Sequence, residues 1–487
     1  MRVRTVRLYF FQTKVSMSHP SVSVSNATTL AAPVSTQVTS REIWSLTWPQ
    51  AVTMFLQFLV GFVDVTVAGY IHPHVQSAFG IVTQSQFFLM VVGVALVNGG
   101  IAAMSQSLGA KLPRRTTRYV GLLFKLTLSC GLLAVLLGYL FRKELLHLLG
   151  VPEEIFPLTL ELWILLLFAL PPSFLNYASV VTFRSHKNVW IPLGTMSIVC
   201  LVNLVADLAF GLGWFGMPAF GARGIVWATI IAISIGALVN VSMLYRKKII
   251  SAQSFAPWRW EKRALPYIFK VALPAGGSQM LWQLGNMMLF RISNTLPKIG
   301  VIATAGLTAG RSIEALLFLP GMAFSFTGSI LVGHCLGAGN RSEAKRVGMR
   351  VVVGGSAIMS LVAAVLMLFV DDIAAFVAPD PAVAAIAKSY LVYNLLATPF
   401  TVTSMIMAGI FSGAGATLYS LLAFSTATWL VRLPLAWYMG HIVWEDASGI
   451  FVAMLCSQIV QACICVCLFQ WRDWYRFAST AKRFKKG

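Results

Sequence analysis

Two aspartates stand in runs of sequence that are otherwise apolar. Asp64 lies inside "LVGFVDVTVAGYI" (residues 59–71), and Asp207 closes "NLVAD" (residues 203–207). Placing an ionisable group at the centre of an apolar helix costs on the order of 3 kcal/mol on insertion scales, so such residues mark ion or substrate pathways by default. Two carboxylates brought together in low dielectric cannot both ionise cheaply. They titrate as a unit and are satisfied by a proton, or by a sodium ion if neighbouring Asn, Gln and Thr oxygens complete an oxygen shell. Asp64, eighteen residues after Leu46, and Asp207, eighteen after Val189, both sit roughly 27 Å up their helices at about 1.5 Å per residue. Thr229 reaches a similar depth from the other direction. Asn203 is one turn below Asp207 and Gln57 two turns below Asp64, so five polar groups, Asp64, Asn203, Asp207, Thr229 and Gln57, can converge.

Of the sixteen acids, only Glu161 and Glu314 join these two inside apolar runs. Glu161 is near a helix end, where water reaches it. Glu314 follows Arg311 by three residues, a spacing that favours an intrahelical ion pair; as a functional group it would attract a cationic substrate.

The elements that must position these residues are membrane helices. The chain has 487 residues, 57% of them hydrophobic and 11% charged, with a mean hydropathy of +0.77. Apolar runs near 44–71, 82–110, 117–141, 155–183, 189–213, 221–245, 266–296, 300–337, 345–370, 382–411, 416–441 and 448–471 are each long enough to span a bilayer. About twelve spans result, and the alternating ten-residue pattern of a barrel is absent. The net charge of +21 follows topology. Of the 37 Lys and Arg, five fall in the odd-numbered loops (Arg142, Lys143, Arg223, Lys298, Lys388) and four within spans (Lys125, Arg291, Arg311, Arg432); the rest sit in even-numbered loops and tails. This asymmetry places both termini in the cytoplasm and gives no reason to expect a nucleic acid partner. Seven cysteines in or beside apolar runs read as buried thiols.

The second half repeats the first. Pro49 of "LTWP" answers to Pro274 of "VALP", and Gly224 of "GARGI" to Gly449 of "DASGI", each at an offset of 225; Gly109 answers to Gly337, Pro171 to Pro399 and Phe183 to Phe411 at 228. Each copy has six spans, so both insert in the same direction and are related by an axis along the membrane normal, as in transporters built from parallel repeats. The expected organisation is a disordered cytoplasmic tail (1–40, with Met17 a possible start), a first lobe (41–246), a basic cytoplasmic linker along the interface (247–265), a second lobe (266–471) and a basic tail (472–487). No nucleotide-binding loop of the form G-x-x-x-x-G-K-[ST] is present, which leaves an ion gradient as the energy source. "CICVC" at 463–467 does not read as a metal site, because residues two apart point to different sides of a helix. Pro49, Pro171, Pro172, Pro274, Pro320 and Pro399 interrupt spans and mark bends; Pro49, below Asp64 in the same helix, is the candidate hinge.

"GFVDVTVAG", "NLVAD", "GMPAFGARGIVWAT" and "LVGHCLGAGNRSEAKR", in this order and at these spacings, resemble the multidrug and toxic compound extrusion (MATE) transporters from about Arg41 to Trp471. The resemblance implies an all-α membrane protein with twelve transmembrane helices in two six-helix lobes related by a pseudo-two-fold axis. It implies a monomer, not an enzyme and without cofactors, in the cytoplasmic membrane. Such a protein exports organic, usually cationic amphiphilic compounds in exchange for H+ or Na+. It assigns ion coupling to Asp64, Asn203 and Asp207, with Thr229 and Gln57 in matching places and Asn176 a looser candidate for the substrate. The carboxylates of spans 7 and 10 found in one sodium-coupled branch are missing here, and Arg291 and Arg432 have no place in the pattern; they could favour an anionic or zwitterionic substrate. A lipid-linked oligosaccharide flippase of related architecture, with about fourteen spans and a basic cavity, is the alternative that Arg291, Arg311 and Arg432 keep open. A membrane-embedded enzyme lacks a catalytic arrangement at membrane depth.

Overall fold

A computed structural model of the chain describes residues 38–297 and 299–479, apart from the side chains of residues 87 and 88. The expected first tail up to residue 37, Met17, Lys298 and the last basic residues lie outside that range. The chain is a succession of long helices. Spans 1 to 3 are Ser40–Ile71, Pro73–Gly109 and Pro113–Leu140. Span 4 is a pair, Phe156–Leu167 and Leu170–Ser185, bent by 45°. Spans 5 and 6 are Trp190–Gly211 and Ala222–Arg246. The second copy runs through span 7 (Trp258–Asn294), span 8 (Gly300–Gly337), span 9 (Arg341–Leu368), span 10 (Pro381–Ala414), span 11 (Thr417–Val443) and span 12 (Ala447–Trp471).

Local chemistry sets the ends. The Thr39 hydroxyl accepts from the Glu42 N–H at 3.2 Å to start span 1, Asp380 caps span 10, and Pro73, Pro113 and Pro381 open their helices, where the missing N–H would go unused. The bend in span 4 falls where Pro171 and Pro172 enter. Pro49, Pro274, Pro320 and Pro399 are carried inside continuous helices. Among the described residues ten helices, or eleven with the bent pair, are long and apolar enough to cross a membrane; span 7 makes the twelfth although Gln279, Gln283 and Asn286 dilute its hydropathy.

Two expected boundaries move. The linker was expected to end at residue 265, but span 7 already begins at Trp258, behind Pro257 and with Glu261 in its first turn. Lys125 of span 3 bonds Glu261 at 2.6 Å, and Trp260 packs edge-on against Tyr119 at 5.2 Å, so the start of span 7 is fastened to the first lobe. Nor do residues 472–479 form a loose tail. Trp474 is fully buried, its indole donates to the Phe469 carbonyl at 3.0 Å, and Phe477 packs on Tyr419. Large aromatics in a basic segment bury themselves wherever apolar surface is within reach.

The two halves meet at one end of the helices. Thr47 and Gln50, on either side of Pro49, donate to the Thr327 hydroxyl of span 8 at 2.9 and 3.0 Å. Gln106 of span 2 donates to the Gly413 carbonyl at 2.8 Å, and its own oxygen accepts from Tyr267 and from the backbone and hydroxyl of Ser479. His334 donates to the Ser185 carbonyl at 2.8 Å. Gly109 and Gly337 allow this closeness: a methyl group on either would come within about 2 Å of a carbonyl oxygen of the opposite helix, at 2.0 and 2.1 Å.

Candidate functional site

Spans 1, 5 and 6 bring the predicted acids together. Asp207 is wholly buried, Asn203 1% exposed and Asp64 5% exposed. The two carboxyl groups lie within hydrogen-bonding range of each other, and the Thr229 hydroxyl donates to Asp64 Oδ2 at 3.3 Å. Asn203 also interacts with Asp64. That contact stops short of full hydrogen-bond geometry, however: Asp64 Oδ1, both Asp207 oxygens and both Asn203 amide atoms are buried and without a bonded partner in the protein. Buried polar atoms are ordinarily paired. Five such atoms on two neighbouring acids and an amide form a set that a proton or a small cation could satisfy chemically.

The local backbone explains the placement. Span 5 widens into a π turn over Asp207–Gly211, a distortion that occurs as single turns and often at functional sites. Gly211 then sits against Val67 of span 1 and Ile225 of span 6. Gly224 presses span 6 onto that turn so closely that a methyl group would lie 2.1 Å from the Phe210 carbonyl oxygen. Around the acids, Val67, Ala68, Phe79, Ile225 and Ile230 form one apolar cluster.

Four of the five expected groups meet, and Gln57 does not. Its amide donates to the Tyr177 hydroxyl at 3.2 Å, drawn toward span 4 and away from the carboxylates. Asn176 accepts from Asn240 at 2.7 Å, which in turn accepts from Thr195 at 3.0 Å; this ladder ties spans 4, 5 and 6 and leaves the acids aside. Glu161 pairs with Arg223.

Glu314 of span 8 is buried, but its partner differs from the expected one. It accepts a hydrogen bond from the Tyr390 hydroxyl, while Arg311 turns its guanidinium over the Phe290 ring at 5.2 Å and forms no ion pair with it among the described residues. The other buried cation of this half is Arg432, 3% exposed, whose Nε donates to Ser457 at 2.8 Å. Tyr390 and Ser457 went unnoticed in the sequence, where neither departs from the composition of an ordinary span. Cys463, Cys465 and Cys467 are exposed, buried and half-buried in turn, facing different sides of span 12.

A family model, MatE, matches the chain twice, over residues 49–208 and 274–438. The chain belongs to the MatE family. The two matches begin 225 residues apart, at Pro49 and Pro274, which is the internal repeat. MatE proteins are multidrug efflux transporters, and this one is a multi-pass membrane protein. The chain is 26% identical to Multidrug resistance protein PmpM of Pseudomonas aeruginosa, covering 96% of each. It is 24% identical to the probable multidrug resistance protein NorM of Thermotoga maritima, over 92% of this chain and 96% of that one. Among solved structures it superposes on a MATE protein in the bent conformation with a TM-score of 0.82 at 19% identity, covering 92% of this chain and 97% of that one. For the Vibrio cholerae MATE transporter VcmN in the bent form the TM-score is 0.80 at 21% identity, with 90% and 98% covered. The fold is accordingly that of two six-helix lobes.

Proposed function

We propose that this MatE protein is an antiporter of the cytoplasmic membrane that expels organic, amphiphilic cations in exchange for H+ or Na+, with Asp64, Asp207, Asn203 and Thr229 holding the coupling ion. The observation that carries this reading is the pair of neighbouring buried carboxylates with no basic residue bonded to either among the described residues. A carboxylate pair of this kind in an apolar cluster is repaid for its desolvation only by binding a proton or cation.

Ion binding at this place bears on lobe contact through span 1. Asp64 and Pro49 share that helix, and Thr47 and Gln50 beside Pro49 hold Thr327 of the second lobe. Proline removes one helical hydrogen bond, so the turn at Pro49 bends at lower cost than its neighbours, and neutralising Asp64 changes how the upper half of the helix packs. With basic loops inside, the closed end is cytoplasmic and both termini are inside the cell. The protein works as a monomer, moving small molecules through the bilayer without a cofactor. One charge crossing 100 mV supplies about 2.3 kcal/mol, part of which an exported cation offsets.

The test is export of a fluorescent cation from proteoliposomes under an imposed pH or sodium gradient. Asp64→Asn is expected to bind the cation normally but to ignore the gradient; gradient-driven export equal to wild type would remove this site from the mechanism.

A further inference from the structure

At the end of the helices where the two halves meet, the start of span 9 and the end of span 12 flank an open recess of about 840 Å³. On a helix of 3.6 residues per turn, Ser342, Met349 and Val353 fall in one line along its floor, with Arg341 and Lys345 on one side and Arg346 and Arg350 on the other. The cations are held in the wall. Lys345 Nζ donates to the Gln470 carbonyl at 3.3 Å and Arg350 Nη1 to the Val38 carbonyl at 2.9 Å; Arg341 lies over the Tyr475 ring at 5.4 Å, and Arg346 pairs with Glu343 at 3.0 Å. Among the described residues no acid lines the recess, and residues 1–37 and 480–487 contain no Asp or Glu. Four cations therefore face one carboxylate, at the positive end of the helix dipole, and like charges one turn apart repel. Beyond the charges the helix turns apolar: Val353, Leu361 and Leu368 are each more than half exposed.

The first half shows what happens when protein covers such a helix start. Span 3 also opens on arginines, Arg114, Arg115 and Arg118. There Arg118 lies over Trp260 of span 7 at 5.8 Å, and the Ser254 carbonyl of the linker sits so close to Gly121 that a methyl group would lie 2.1 Å from its oxygen. The floor of the span 9 recess stays exposed at Val353.

We propose that this recess binds an anionic phospholipid, its phosphate among Arg341, Lys345, Arg346 and Arg350 and one acyl chain along Met349, Val353 and Leu361. Basic residues at a membrane surface attract anionic headgroups, and the volume lies within the roughly 300–1,000 Å³ of small-molecule sites. A soluble anion would use the charges alone, whereas a lipid uses both the charges and the apolar row that leads from them into the hydrocarbon. Val38 leads into span 1 and Gln470 ends span 12, so the headgroup lies on the seam between the halves.

The recess shares no residue with the carboxylate site and its test needs no ion gradient, so either reading can fail alone. Full-length protein in detergent is titrated with spin-labelled phosphatidylglycerol and, separately, with spin-labelled phosphatidylcholine. Phosphatidylglycerol is expected to bind more tightly by roughly fivefold for each net positive charge, on the order of a hundredfold in all, with the preference shrinking as NaCl rises. Lys345→Gln with Arg350→Gln should remove about twentyfold of it. Arg114→Gln with Arg118→Gln, an equal loss of charge, should change it by less than about twofold. Equal losses in the two pairs would reduce the effect to overall charge and overturn the site, as would a preference that survives Lys345→Gln with Arg350→Gln. Inorganic phosphate at matching concentrations should not displace the lipid; displacement would assign the recess to a soluble anion and also overturn the proposal. If the Lys345→Gln and Arg350→Gln protein fails to fold, Met349→Trp decides, because it fills the floor and leaves every charge in place. Phosphatidylglycerol should then lose its preference, and its retention sinks the proposal.

Discussion

The two lobes are copies in backbone and opposites in buried charge. In the first, span 5 brings Asp207 against Asp64, and five polar atoms are left without protein partners. In the second, span 11 holds Arg432 against Ser457, and Glu314 of span 8 accepts from Tyr390. One fold thus holds buried acids left largely without protein partners in one half, and an acid and a guanidinium each bonded to a hydroxyl in the other. Fold follows from the pattern of apolar runs and glycines that the copies share, whereas the buried polar groups differ between them.

The largest expected effect breaks the first lobe alone. Under a 100 mV gradient, wild type should sustain a substrate ratio of up to roughly 50-fold per net charge moved, and Asp64→Asn should bring that ratio close to one in proteoliposomes. Arg432→Gln, by leaving the buried Ser457 hydroxyl without its donor, should destabilise the protein by about 1–3 kcal/mol, as read from thermal unfolding in detergent. Gly224→Ala and Gly449→Ala compare the two close approaches directly: overpacking of about 1–3 kcal/mol is expected at each, larger at Gly224, and only Gly224→Ala should also weaken Na+ or H+ binding, because it displaces the turn that aims Asp207. Thr229→Ala removes one hydrogen bond to Asp64, about 1 kcal/mol, and should weaken ion binding roughly fivefold. Gln57→Ala should change ion affinity by less than about twofold, since its amide serves Tyr177.

Much of the first lobe was legible in the sequence. Depth counted along helices put Asp64, Asp207 and Thr229 at one level with Asn203 one turn below, because a fixed rise per residue converts spacing into height. Rotation about the helix axis is less constrained, and a side chain as long as Gln57 settles on the strongest partner within reach. Glu314 shows the same limit. The three-residue spacing from Arg311 allows a pair within the helix, yet Tyr390, 76 residues away, wins the carboxylate, and no periodicity announces a contact that remote. Trp474 shows another: the basic residues around it suggested solvent, while one indole with a carbonyl partner was enough to fold the segment back.

Gln106 shares its amide oxygen among Tyr267 and two groups of Ser479 while its nitrogen holds Gly413. Parting the halves therefore demands that four bonds on one side chain give way together, each contributing about 1 kcal/mol. Partial opening would leave most of that cost in place with little gained, so leakage through a half-open pore is suppressed and the passage behaves as a latch that is either fastened or released.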